Sequence, residues 1–143
     1  MVKPIYQDPQ IIENILKTCR RVAVVGLSPK PDRPSYGVSE YLLETGYDVI
    51  PVNPTAKEVF GKTCYPNLIA IPDGVDLVTI FRRPEDVPEV VEEAIAKGAK
   101  AVWMQFGVIN DSAAERAHSA GLDVVMDCCM SVEHGRRRRA GKL

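Results

Sequence analysis

No Gly-x-Gly-x-x-Gly run occurs in this chain: Gly26 is followed by Ser28, Pro29 and Pro31, and the next glycine is Gly37. The usual dinucleotide fingerprint, whose glycines let backbone approach a pyrophosphate, is therefore missing. No Cys-x-x-Cys pair occurs among Cys19, Cys64, Cys128 and Cys129, which excludes a thioredoxin-type redox motif and leaves a reduced cytoplasmic protein as the simplest reading. Neither charge dominates: 18 Lys and Arg face 19 Asp and Glu, a net charge of −1. No overall field marks a nucleic-acid or membrane binder, and neither is expected as a partner. No apolar run approaches the ~18 residues of a transmembrane helix. The opening MVKPIYQDPQ has no apolar stretch of the secretory kind.

What remains is an ordinary globular composition, 143 residues with 45% hydrophobic and 26% charged. That length suits a single domain, residues 1–143, burying about 70% of its unfolded surface. Asp8 can cap a helix that starts at Pro9 and runs to about Cys19, within 8–20. Apolar runs predict five strands: Arg21–Leu27, Tyr47–Val52, Val75–Phe81, Ala99–Met104 and Leu122–Met126. Between them, Ser35 can cap a helix that stops at Gly46. Pro84 opens another, with Glu85 and Asp86 in its first turn and Lys97-Gly98 at its end. Asn110 or Asp111 caps a third, closed by Gly121. Thr55–Gly74 has Gly61, Pro66 and Pro72, leaving room for at most a short helix near Asn67–Ala70. Strands alternating with helices imply βαβ crossovers and a parallel sheet. The expected fold is α/β, a Rossmann-like doubly wound five-stranded sheet in the order 3-2-1-4-5. Residues 136–143, with four consecutive arginines, read as a solvated basic tail.

Open α/β sheets bind ligands beyond the carboxyl ends of their strands, at the switch point of strand order. After the first strand come Gly26, Ser28, Lys30, Arg33, Ser35, Tyr36 and Gly37; after the second, Asn53, Pro54 and Lys57. The third ends in Phe81, Arg82 and Arg83, and the fourth in Gln105, Phe106 and Gly107. This edge is rich in cations, and a helix start near Ser35 offers free N–H groups and a positive dipole end to an anion. An NAD site also wants an acid about 20 residues after the glycine turn to hold the ribose hydroxyl. Here stand Asn53, Pro54 and Lys57. A cation there suits an extra phosphate on the adenosine ribose, as in NADP or coenzyme A.

The segments GLSPKPDRPSYGVSEYLLETGYDVIPVNP, VFGKTCYPNL, VDLVTIFRRPE and AVWMQFGV together resemble the small stand-alone CoA-binding proteins, similar in turn to the CoA-binding domain of the succinyl-CoA synthetase alpha subunit. The resemblance runs from about Ile11 to Arg137. It implies coenzyme A or an acyl-CoA as ligand. It places the pyrophosphate at Ser28–Gly37, and the adenosine and its 3′-phosphate at Asn53, Pro54 and Lys57. The adenine side falls at Phe81 and Arg82, and the pantetheine arm at Gln105–Gly107. The full synthetases add phosphohistidine and nucleotide-grasp parts that this chain is not expected to carry, so a binding module that senses or presents the cofactor is expected. A small NADP- or CoA-dependent enzyme stays open as the alternative. Its reactive groups would be Cys128 and His134, a thiolate beside a histidine that could accept an acyl group. Two cysteines and one histidine are too few ligands for a structural zinc. Self-association stays open.

Overall fold

The computed structural model describes residues 1–143. A 3-10 turn, Pro4–Gln7, leads into α1, Pro9–Thr18. The Asp8 side chain accepts the Gln10 N–H at 2.9 Å, and Pro9 fills the first helical position, where its missing donor costs nothing. Ile12, Ile15 and Leu16 form the buried face of α1. The order then runs β1 (Arg21–Val25), α2 (Pro34–Glu44), β2 (Asp48–Val52), β3 (Glu58–Val59), β4 (Lys62–Thr63) and β5 (Leu77–Ile80). A 3-10 turn at Pro84–Asp86 opens α3 (Val87–Lys97), followed by β6 (Ala101–Met104), α4 (Asp111–Ser119), β7 (Asp123–Met126) and α5 (Met130–Arg139). Asn110 caps α4 by accepting the Ala113 N–H at 3.0 Å.

Five parallel strands form the sheet in the order β2-β1-β5-β6-β7. Its strands are apolar on both sides because both faces are covered. Ala23 and Val25 of β1, and Val102 and Met104 of β6, face a core made with α3 and α4. Val22 and Val24, and Ala101 and Trp103, face a second core made with α1, α2 and α5. Trp103 is fully buried and its indole N–H donates to the Cys128 carbonyl at 2.8 Å, so its polar end is satisfied.

The doubly wound α/β class holds, but the strand order is corrected. Counting only sheet strands, it is 2-1-3-4-5, not 3-2-1-4-5. The cause lies in Thr55–Gly74. It holds no crossover helix; β3 and β4 make an antiparallel hairpin with Glu58 opposite Thr63. The tight turn between them puts Phe60 at φ 57 and Gly61 at φ 70, the paired positive values of a type I′ turn. The segment leaving β4 then lies along the outer edge of β2: Tyr65 N donates to the Pro51 carbonyl at 3.0 Å, and Asn53 N to the Tyr65 carbonyl at 2.9 Å. With that edge taken, β5 pairs with the other side of β1. The anticipated short helix is only a turn, in which the Asn67 carboxamide accepts the Ala70 N–H at 2.9 Å.

The basic segment is corrected in its first half, since only residues 140–143 lie beyond the last helix. Arg136–Arg139 form the final turns of α5. Arg137 is pinned to Glu133 at 2.9 Å, its side chain only 12% exposed. A helix beginning at Met130, whose N–H donates to the buried Gln105 carboxamide oxygen at 3.1 Å, carries the arginines with it.

Candidate functional site

The reversal of strand order falls between β1 and β5, so the crevice opens beyond Val25 and Ile80. Gly26 stands at its floor with φ 87. A Cβ there would lie 2.1 Å from the Phe81 carbonyl oxygen and 3.3 Å from Cδ of Arg82, so only glycine lets the two chains pass this closely. Beyond it, the Ser28 N–H donates to Ser35 Oγ at 3.0 Å, and Ser28 Oγ accepts the Lys30 N–H at 3.1 Å. These bonds fold the proline-rich loop back onto the start of α2.

Ser35 is therefore not the helix cap that its type suggests. The cap position is Arg33, which makes no side-chain capping bond, and Pro34 occupies the first turn. Ser35 is buried and spent on the loop. The positive end of α2 is left without a side-chain acceptor, and faces a cleft of about 240 Å³ lined by Gly26, Ser28, Arg33, Pro34, Ser35 and Phe81. An uncapped helix start of this kind favours an anion. Lys30, Arg33 and Lys57 are exposed and join none of the protein's ion pairs.

Other expected site residues fall elsewhere. Asn53 donates to the Leu27 carbonyl at 3.0 Å and accepts the Thr55 N–H at 2.9 Å and hydroxyl at 2.8 Å. Its amide builds the loop that presents Pro54 and Lys57. Tyr36 is half-buried and stacks on Phe60, centroids 4.3 Å apart, tying the hairpin to α2. Gly37 is exposed with open space around it. Arg82 lines a separate hollow of about 270 Å³ with Pro54, Asp86 and Glu89, and pairs with Asp86 at 3.7 Å. Gln105 is 2% exposed; its amide nitrogen bonds Thr79 Oγ1 and its oxygen holds α5. Both ends of its amide are engaged inside the protein, and the side chain is turned away from the edge. Gly107 N donates to Asp127 Oδ1 at 2.7 Å, linking two loops of the edge. The expected edge is thus split: Gly26, Ser28, Arg33, Ser35 and Phe81 share one cleft, Pro54 and Arg82 another, and Gln105 is buried behind the edge. The stacked Tyr36–Phe60 pair is not legible in the sequence, because it depends on the hairpin of β3 and β4 folding back on α2.

The reactive groups do not assemble. Burial, then Glu133 and Asp127, push the Cys128 thiol up to about 11, which disfavours a thiolate at neutral pH. Cys129 Sγ lies 3.3 Å from Ser131 Oγ. His134 Nδ1 bonds the Tyr41 hydroxyl at 2.8 Å, not a thiol. No cluster of His, Cys, Asp and Glu is arranged to hold a metal, and no helix is long and apolar enough to cross a membrane.

Among proteins of known sequence, the uncharacterized Bacillus subtilis protein YneT is 42% identical over 123 residues, covering 86% of this chain and 91% of its own. An ADP-forming acetate–CoA ligase II of Archaeoglobus fulgidus is 36% identical over 83 residues, 57% of this chain but only 12% of the ligase. Among solved structures, a hypothetical protein from Pyrococcus horikoshii superposes with a TM-score of 0.89 at 45% identity, over 95% of this chain and 96% of that one. The apo form of a dinucleotide-forming acetyl-coenzyme A synthetase from Candidatus Korarchaeum cryptofilum gives 0.69 at 28% identity, over 81% of this chain and 28% of its own. The CoA binding domain family matches residues 20–135, the span holding all seven strands and the glycine floor, and this chain belongs to that family.

Proposed function

We propose that the protein binds coenzyme A or an acyl-CoA along the carboxyl edge of its sheet, and holds the cofactor without reacting with it. The observation that carries this is the uncapped start of α2 opening on the Gly26–Ser35 cleft, which Arg33 lines, on an edge whose loops also carry the unpaired Lys30 and Lys57. The residues fit the group. The cleft is of a size for the pyrophosphate, and Gly26 removes the side chain that would block it. Lys30 and Arg33 neutralise the phosphate charge, and Lys57 is the free cation for the 3′-phosphate. When bound, coenzyme A supplies a thiol that carries acyl groups as thioesters. The protein's part is to bind, orient and present that group. Similarity to one domain of acetate–CoA ligase supports the ligand, and the raised Cys128 thiol argues against acyl transfer on this chain.

Nothing at the end of β2 suits NAD: Asn53 is spent on its own loop and no carboxylate stands there to accept from a ribose hydroxyl. Calorimetry with CoA, NADP and NAD tests the reading. CoA should bind more tightly than both dinucleotides; NAD binding as tight as CoA would overturn it.

A further inference from the structure

The largest cavity lies at the opposite edge of the sheet, where α1, α2 and α5 end, and the CoA reading makes no use of it. Its volume is about 610 Å³, within the ~300–1,000 Å³ range of small-molecule sites. Leu16 and Tyr47 give it an apolar wall; Arg20, Arg138, Lys142 and His134 give it a polar one.

The backbone that carries Lys142, the Arg20 side chain and the His134 ring are each held in place. Gly141 has φ 73. Its N–H donates to the Arg138 carbonyl at 3.1 Å, and the Lys142 N–H to the Arg137 carbonyl at 2.9 Å. That pair of bonds is a Schellman motif, which closes a helix and sets the direction of the chain beyond it. Arg20 places Cζ 5.3 Å from the Tyr47 ring centroid. His134 is 7% exposed and is flanked edge-on by Tyr41 and Tyr47, centroids 5.4 and 5.7 Å away. With Nδ1 on the Tyr41 hydroxyl, its Nε2 has no partner in the protein. That nitrogen is not among the fully buried unpaired atoms, so it opens on the cavity that the ring lines.

Cations at helix carboxyl ends also answer the helix dipole, which accounts for Lys17 and Arg138 in their last turns. It accounts neither for a buried imidazole with an open nitrogen nor for the hollow in front of it. Lys17 is answered by Glu13 at 3.4 Å, and Glu44 is the acid on the wall. Arg20, Arg138 and Lys142 join no ion pair.

We propose that this cavity is a second ligand site, for the phosphate group of a small organic phosphate whose carbon portion lies against Leu16 and Tyr47. The two guanidinium groups and the Lys142 ammonium supply charge-assisted hydrogen bonds. With the Tyr41 hydroxyl donating to Nδ1, His134 presents Nε2–H to the phosphate. Burial first, then Arg138 and Arg20, hold the imidazole below its usual pKa. A bound dianion offsets both arginines and raises the imidazole pKa, and as the ring takes up a proton its Nδ1–H turns to donate to the Tyr41 oxygen. The other groups facing the ring region are Tyr41 and Glu44 from α2, Lys17 from α1, Tyr47 and Lys142.

The chain has two histidines, so their imidazole signals serve as separate probes. His118 is the internal control, at the far side against Tyr6, 6.4 Å between centroids. Inorganic phosphate and then phenyl phosphate are titrated into the full chain and followed by NMR. The expected result is a saturable shift of His134 with His118 fixed, a rise in the apparent His134 pKa, and tighter binding of phenyl phosphate. Arg20→Gln and Arg138→Gln should each weaken phenyl phosphate roughly tenfold to a hundredfold while the melting temperature holds. Overturning results are an unmoved His134, an equal shift at His118, shifts confined to the amides of Gly26 and Gly37, or unchanged affinity in both arginine variants. Equal affinity for the two probes would overturn the organic part of the proposal. Tighter binding of a short single-stranded RNA, displacing phenyl phosphate, would overturn the small-molecule part.

Discussion

A methyl group on Gly26 would stand 2.1 Å from the carbonyl oxygen of Phe81. Two strands that are 55 residues apart in sequence are thus held together at the floor of the crevice by the lack of one side chain. Gly26→Ala should destabilise the protein by about 1–3 kcal/mol from its φ of 87, with the clash added. It should also abolish CoA binding where the chain still folds. Thermal melts beside calorimetry check both; a variant with full stability and full CoA affinity would refute the role given to this residue.

Lys57 tests the 3′-phosphate assignment. Lys57→Ala should weaken CoA roughly tenfold to a hundredfold, the scale of a charged hydrogen bond. Dephospho-CoA should bind the parent more weakly and ignore the substitution. If CoA affinity does not change, the phosphate belongs to another cation, with Arg33 the first to try.

Ser39 sits fully buried on α2, and its hydroxyl is the one buried side-chain oxygen with no hydrogen-bond partner. Desolvating an unpaired hydroxyl is unfavourable. Ser39→Ala should therefore raise the melting temperature, by about 1–3 kcal/mol of added stability in urea titrations. A clear loss of stability would mean that the hydroxyl has a bound water as its partner.

His134 gives stability a pH dependence. Its folded pKa lies below the usual 6.5, from burial first and then Arg138 and Arg20. The unfolded chain therefore binds the proton more tightly. The contribution is full above about pH 6.5 and is lost as pH falls through the unfolded and then the folded pKa. Tyr41, Tyr47 and Glu44 share this region, and the imidazole is the side chain whose ordinary pKa falls between about pH 5 and 8. Melting temperatures of the parent should fall over that range, and His134→Gln should flatten the slope. Parallel slopes would assign the dependence to the carboxylates.

Cys128, with its thiol pushed up to about 11, should alkylate at neutral pH about a hundredfold more slowly than an ordinary cysteine. Release of free thiol from acetyl-CoA should be equally negligible in the parent and in a Cys128→Ser, Cys129→Ser double variant. Sustained release that the double variant abolishes would make this a thioester enzyme.

The sequence exposed the layers of the fold because its signals are local. The run Val22–Val25 is apolar at every position, which only a strand covered on both faces tolerates, and Asp8-Pro9 and Asn110 mark helix starts by their own chemistry. Strand order is not local. It turned on Tyr65 reaching the edge of β2, and nothing in the residues 55–74 announces that contact. Site residues were read from their place after each strand, and place does not fix side-chain direction: Gln105 turns inward to Thr79 and Met130, and Ser35 serves the loop instead of its helix. Arginines 136–139 looked like a tail because their helix is stabilised by packing at its start, at Met130 and His134, and by the closing turn at Gly141.

Both margins of the sheet are covered at their carboxyl ends. On one side Pro51 has no N–H to offer and Tyr65 occupies the carboxyl half of β2; on the other, Gln7 donates to the Met126 carbonyl at 3.1 Å beside β7. Unpaired margins invite chains to add strand upon strand. Here Tyr65 takes the carboxyl half of the β2 margin, so the edge nearest the Gly26 crevice is the one a further strand cannot reach.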